Sequence, residues 1–206
     1  ATWWFLGDRG VTPTDPPRRS LAVLPFTALG EEERNQRFAH GLTEEIATAL
    51  ARTGELRVTG RTSAGRFPGR DRDPRAIGEA LGVAHLLEGS VRSSDDRIRV
   101  TEQLIRAEDD FHIWSENYDR APEDMIAIQE DLALSIAEAL ETTMDPEELA
   151  AMARIGTRSV EAYQAYLRGV SSGTTSLRTD VQILETLEYY EAATRADPQF
   201  ARAYLR

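Results

Sequence analysis

The chain has 206 residues, with 24 basic and 35 acidic side chains and a net charge of −11. A surface this acidic repels phosphate backbones and anionic bilayers, which argues against nucleic acid and against electrostatic membrane binding. There is no cysteine and every basic residue is Arg, so disulfides, thiolate catalysis, cysteine metal sites, Schiff-base lysines and phosphate-loop lysines are all ruled out.

The chain opens on Ala1-Thr2-Trp3-Trp4-Phe5-Leu6-Gly7. A bilayer span needs about 20 apolar residues, so this stretch is too short to cross one. Its aromatics suit the interfacial end of a transmembrane helix; an N-terminal strand or a hydrophobic clasp is the other reading. Gly10, Pro13, Pro16 and Pro17 mark a linker up to Arg19, so residues 1–19 read as a membrane-proximal segment and linker. Leu21 to Phe26 is a continuous apolar run, the pattern of a strand buried on both faces. After a polar loop from Gly30 to Arg34, Phe38, Leu42, Ile46 and Leu50 recur at helical spacing, and Gly54 is placed to stop the helix. Leu56 to Gly60 reads as a second strand, and the βαβ connection predicts that it pairs in parallel with the first.

Arg61 to Arg72 reads as a loop. Asp73 is a helix N-cap, Pro74 a first helical residue and Gly82 a stop, with Ile77 and Leu81 on the apolar face between them. Val83 to Arg92 and a strand carrying Ile98, Val100 and Leu104 flank a turn at Ser93 to Asp96. Beyond the turn at Glu108 to Asp110, Phe111 to Tyr118 reads as a third antiparallel strand, with Trp114 and Tyr118 on one face. Pro122 opens a long helix whose buried stripe is Met125, Ile128, Leu132, Ile136 and Leu140. The expected fold of residues 20–144 is therefore α/β, a mixed sheet in the order β-α-β-α-β-β-β-α. From Met144-Asp145-Pro146 onward the pattern is all-α, with helices over Ser159 to Gly169 and Val181 to Ala196 in the region 145–206.

Several phrases carry a family likeness. They are Ala22-Val23-Leu24-Pro25-Phe26, Phe38-Ala39-His40-Gly41-Leu42-Thr43-Glu44-Glu45-Ile46, Arg57-Val58-Thr59-Gly60-Arg61-Thr62-Ser63, and Leu81-Gly82-Val83-Ala84-His85-Leu86-Leu87-Glu88-Gly89-Ser90-Val91-Arg92. Arg97-Ile98-Arg99-Val100-Thr101-Glu102-Gln103-Leu104-Ile105 and Ile113-Trp114-Ser115-Glu116-Asn117-Tyr118-Asp119-Arg120 complete the series. In this order they resemble the TolB amino-terminal-like (FlgO-like) domain of bacterial membrane regulators, over residues 20 to 140. The helical region resembles a tetratricopeptide repeat, through Tyr190, Ala193 and Pro198 at the motif's aromatic, Ala and Pro positions. Thr186 stands where the motif has Ala, and the loop from Ser171 to Asp180 is longer than the motif's. Phe200 to Leu205 looks like the start of a further repeat. The resemblance implies a region on the periplasmic side of the inner membrane, following one transmembrane helix, with a nucleotide cyclase, kinase or DNA-binding domain as output.

Little in the sequence carries chemistry. Gly169-Val170-Ser171-Ser172-Gly173 matches the G-x-S-x-G nucleophile elbow, but that elbow needs a preceding strand and a later His, and no His follows His112. A loop between repeat helices is the simpler reading. His40, His85 and His112 have no helical metal-pair spacing. The clusters Glu31-Glu32-Glu33, Asp95-Asp96 and Glu108-Asp109-Asp110 read as solvated turns. Arg61-Thr62-Ser63 follows a parallel strand, where α/β sheets bind ligands, and could hold an anion; a structural role is the competing reading. No cofactor, metal or catalytic residue is expected. The expected function is non-catalytic sensing through a protein or peptide partner. Two alternatives are a scaffold that homo-oligomerises through a sheet edge or its repeats, and an enzyme using an unrecognised carboxylate pair.

Overall fold

The computed structural model describes residues 17–30, 33–52, 54–67, 73–94, 96–140, 154–172 and 179–204. The apolar stretch 1–7 and most of the linker lie outside the described residues.

Strand β1 (Ser20–Val23) is buried along its whole length. The reason is its place in the sheet: β3 (Arg57–Val58) and β4 (His85–Ser93) both pair with it in parallel. The parallel pairing expected from the βαβ connection is therefore present. The apolar run does not continue as one strand through Phe26. It is interrupted around Pro25, and a second short strand, β2 (Thr27–Ala28), follows and pairs with β4 at Ser90 and Val91. Proline has no amide to give a ladder; the Leu24 amide just before it still donates to the Leu87 carbonyl at 2.9 Å.

Helix α1 (Glu33–Ala51) begins inside the stretch expected as loop, with Glu33 in its first turn where the helix dipole favours an anion. Gly54 has the left-handed φ of +69° expected of a helix stop. The segment after β3 is not all loop: α2 (Arg61–Ala64) is one helical turn. Helix α3 (Pro74–Leu81) has the predicted caps. The Asp73 carboxylate accepts from the Arg75 amide, and Gly82 closes the helix at φ 64°. Strands β4, β5 (Ile98–Arg106) and β6 (Phe111–Arg120) form the antiparallel half, and the sheet order is β3-β1-β4-β5-β6 with β2 beside β4. A 3-10 turn at Pro122–Asp124 leads into α4 (Met125–Ala139). Its expected stripe of Met125, Ile128, Leu132, Ile136 and Leu140 is buried.

The sheet divides two cores. Leu21, Val23, Leu87, Val91, Val100 and Leu104 face α1 and α4. Ala22, Leu24 and Leu86 face the other way, against Ile77, Val83 and Ala107. The remaining helices are α5 (Val160–Ser172), α6 (Asp180–Ala196) and α7 (Ala201–Tyr204). Tyr163 and Tyr166 of α5 and Phe200, just before α7, belong to the same core as Leu42 and Ile46 of α1, so the helical region and the sheet share one apolar interior. Helix α6 starts on a capping box, with Thr179 and Gln182 satisfying each other's free amides. Among the described residues no helix is long and apolar enough to cross a membrane.

Candidate interaction site

Helix α5 lies between α1 and α6, and a glycine permits each approach. A Cβ on Gly41 of α1 would stand 3.0 Å from Leu167 Cβ, and one on Gly169 of α5 would stand 2.5 Å from the Tyr190 ring of α6. Tyr166 fills the space between these helices. Its ring meets Phe200 edge-on at 5.1 Å and Tyr190 at 6.1 Å, spacings at which aromatic pairs attract beyond their area burial.

The polar centre of this seam is Glu45, on the face of α1 that meets α5. Its carboxylate is fully buried and accepts hydrogen bonds from the Tyr166 hydroxyl at 2.6 Å and from Arg202 at 2.9 Å. Arg202 also donates to the Arg154 carbonyl at 2.6 Å. Thus α1, α5 and α7 meet at one carboxylate, and Arg202 ties the segment before α5 to them. A buried charge is tolerable only when so paired.

At one end of the seam, where the β4–β5 turn meets α1, α4 and α5, a cleft of about 200 Å³ opens. Its floor is apolar, from Phe38, Ile98, Met125 and Leu167, and its rim carries Arg37, Ser94, Gln164 and Arg168. Ser94 is shared with a second depression on the sheet's other side, lined by Arg92, Arg97, Arg99 and Asp119. The cross-strand register explains that cluster: Arg92 stands opposite Arg99, and Arg99 opposite Asp119. Asp119 accepts from Arg97 at 2.7 Å and from Arg99 at 2.5 Å, and these bonds hold its carboxyl below the usual range.

The expected ligand residues Arg61, Thr62 and Ser63 lie in α2, a helical turn rather than a loop, at the carboxyl end of β3. Thr62 and Ser63 are exposed and line neither pocket. The G-x-S-x-G stretch is not a loop between helices as far as Ser172: residues 169–172 are the last turn of α5, with Gly169 packed on Tyr190. The element leading into Ser171 is helix α5 rather than a strand, so the elbow geometry is absent there. Among the described residues no group of three or more His, Cys, Asp or Glu converges as metal ligands. His85 is held against the Ser20 carbonyl, and burial lowers its pKa.

Sequence reasoning missed Glu45, Arg202 and the cleft's arginines, because their partners are 121 and 157 residues away from Glu45 or on another element. The alternation Arg97-x-Arg99 was a readable signal, since it places both on one face of a strand. Glu102 was also missed. It lies on the inner face of β5, fully buried, with neither oxygen hydrogen-bonded among the described residues. Burial pushes its pKa well above the ordinary carboxylate value, and Glu116, directly opposite on β6, pushes the same way.

No family model matches the chain. It is 36% identical over 156 residues to a Rhizobium meliloti (strain 1021) protein named "Putative adenylate cyclase 3", a match that takes in 76% of this chain. The chain spans only 27% of that relative's length. Among solved structures, TolB from Acinetobacter baumannii is similar with a TM-score of 0.44 and 18% identity, over 62% of this chain and 29% of that one. A lipoprotein from Neisseria meningitidis is similar with a TM-score of 0.43 and 12% identity, over 62% of this chain and 99% of that one.

Proposed function

We propose that this chain is a non-catalytic sensing and protein-interaction region of a membrane-anchored bacterial signalling protein whose output is an adenylate cyclase. The observation that carries the reading is the 36% identity to the cyclase-named protein, which extends over most of this chain but a minor share of that relative. An accessory region beside a separate output domain fits those proportions. The structure supports an interaction role in its own way, because the seam between α1 and α5 ends in an open cleft with an apolar floor and a polar rim. In this reading residues 20–144 are a TolB amino-terminal-like domain, and residues 145–206 are of tetratricopeptide type. The whole lies on the periplasmic side of the inner membrane. Arg61, Thr62 and Ser63 belong to the proposal as ligand contacts at the carboxyl end of the sheet.

The test uses the complete natural protein. Deleting this region is expected to leave cyclase turnover intact in vitro and to abolish its response to the external stimulus in cells. Cyclic AMP production by the isolated chain, or an unchanged response after deletion, would contradict the proposal. A phosphatase fused after residue 206 should be active only if the region is extracytoplasmic.

A second reading is favoured by β6, a ten-residue strand at the edge of the sheet. Edge strands invite pairing, so a scaffold assembled from copies of the chain is the alternative. Solution mass separates the two: a monomer at micromolar concentration removes the scaffold.

A further inference from the structure

We propose that the exposed face of α6 is the docking surface for a basic amphipathic helix of a protein partner, with the partner's apolar side on the α6 leucines and its cations on the carboxylates around them. The proposal rests on the protein-interaction reading above and names the partner chemistry for it.

Helix α6 has two apolar faces, and α5 covers one of them. Thr186 and Tyr190 meet α5 at Ser172 and Gly169, and Ala193, one turn further on, is fully buried. Val181, Ile183, Leu184 and Leu187 lie off that stripe, and Val181 and Leu184 are 74% and 62% exposed. Of the seven large apolar side chains exposed among the described residues, these are four. Apolar side chains gathered in this way mark an interaction surface, whereas single scattered ones do not.

The charges around the patch select the partner. Asp180, Leu184, Leu187 and Glu191 follow one another at spacings of four, three and four, so they form one line along α6 with an acid at each end. Glu188 stands one turn from Leu184. Asp180 and Glu188 have no cation partner among the described residues, and Glu191 reaches Arg195 at 3.7 Å on the exposed surface. With Glu185, the helix has four acids against one arginine. The line is about 17 Å long at 1.5 Å per residue, or three turns of a partner helix read at i, i+3, i+4 and i+7. Lys or Arg flanking the partner's leucines would meet carboxylates at both ends of the line. Charge disfavours the other occupants. In a symmetric pair the same patch meets itself, and two antiparallel copies of α6 centred on Leu184 would set Asp180 opposite Glu188. An anionic bilayer would be repelled by the same acids.

The probe is an acetylated peptide, Lys-Leu-Leu-Lys-Lys-Leu-Leu-Lys-Lys-Leu-Leu-Lys, titrated into the full chain and followed by calorimetry and NMR shifts. Shifts are expected at Val181, Leu184, Leu187 and Glu188. The same peptide with Glu for Lys should show no binding, and Leu184→Ser and Glu188→Lys should each weaken the Lys peptide at least tenfold. Both positions are exposed, so these variants should melt like the wild type in calorimetry. Glu79→Lys makes the same charge change on α3 and should leave affinity unchanged. Equal loss in Glu79→Lys and Glu188→Lys overturns the proposal, because the peptide would then be reading diffuse charge. So does silence of the Lys peptide at millimolar concentration, or unchanged affinity in Leu184→Ser. A wild-type dimer that Leu184→Ser turns into a monomer, or Leu184-dependent binding to phosphatidylglycerol vesicles, also overturns it and assigns the face to a second copy or to a lipid. None of these outcomes touches the deletion experiment, which judges the broader reading separately.

Discussion

The seam between α1 and α5 and the inner face of β5 each bury a carboxylate, and they treat it in opposite ways. Glu45 in the seam has two donors from distant elements, Tyr166 and Arg202. Glu102 on β5 has none among the described residues, and Gln129 of α4 is likewise buried without a partner there. A paired buried charge fixes geometry, because any other arrangement of the helices would strand it. An unpaired one adds no such constraint and is held as the neutral acid. The seam is thus the specified interface of the molecule, and the sheet interior is held by apolar packing despite its polar residues.

The largest effect should come from breaking the seam. Glu45→Ala leaves the Tyr166 hydroxyl and the Arg202 guanidinium without their acceptor, and a loss of about 3–5 kcal/mol in denaturant unfolding is expected. Next comes crowding. Gly169→Val drives a side chain into the Tyr190 ring, and overpacking of this kind costs about 1–3 kcal/mol. Both should leave circular dichroism of the sheet recognisable while lowering the melting temperature.

Glu102 should respond in the other direction. Because its pKa is raised in the folded state, folding takes up a proton between the ordinary carboxylate pKa of 4.5 and the higher folded value. Stability from this residue is full below 4.5 and is lost as pH rises through the folded value. Glu102→Gln should therefore stabilise the chain at pH 7, with the gain shrinking toward pH 4. A gain independent of pH would contradict the neutral-acid account. The smallest effect belongs to Asp119→Ala. Its pairs with Arg97 and Arg99 are exposed, and such pairs contribute little, so unfolding curves should nearly superimpose.

The comparison also explains what was legible in the sequence. Local rules located the elements, as with the cap at Asp73, the stop at Gly82 and the stripe on α4 from Met125 to Leu140. Parallel pairing of β1 and β3 followed from chain connectivity. Local rules erred in the polar stretches: the helix after β2 begins at Glu33, within residues read as loop, and Arg61 to Ala64 coiled into a helical turn. The candidate site was hardly legible at all. Phe38, Ser94 and the pair Gln164 and Arg168 come from three different stretches of chain, and no motif points to their meeting. Only the docking of α5 on α1 brings them together, and that docking rests on Gly41 and Glu45, whose partners Leu167 and Tyr166 lie more than 120 residues along the chain.

Amide hydrogen exchange of the wild type against Glu45→Ala tests most directly whether the helical region and the sheet act as one body around that cleft. The account predicts faster exchange in both Val160–Ser172 and Glu33–Ala51, since the two helices protect each other across the seam. Faster exchange confined to residues 180–204, with α1 as protected as before, would contradict it.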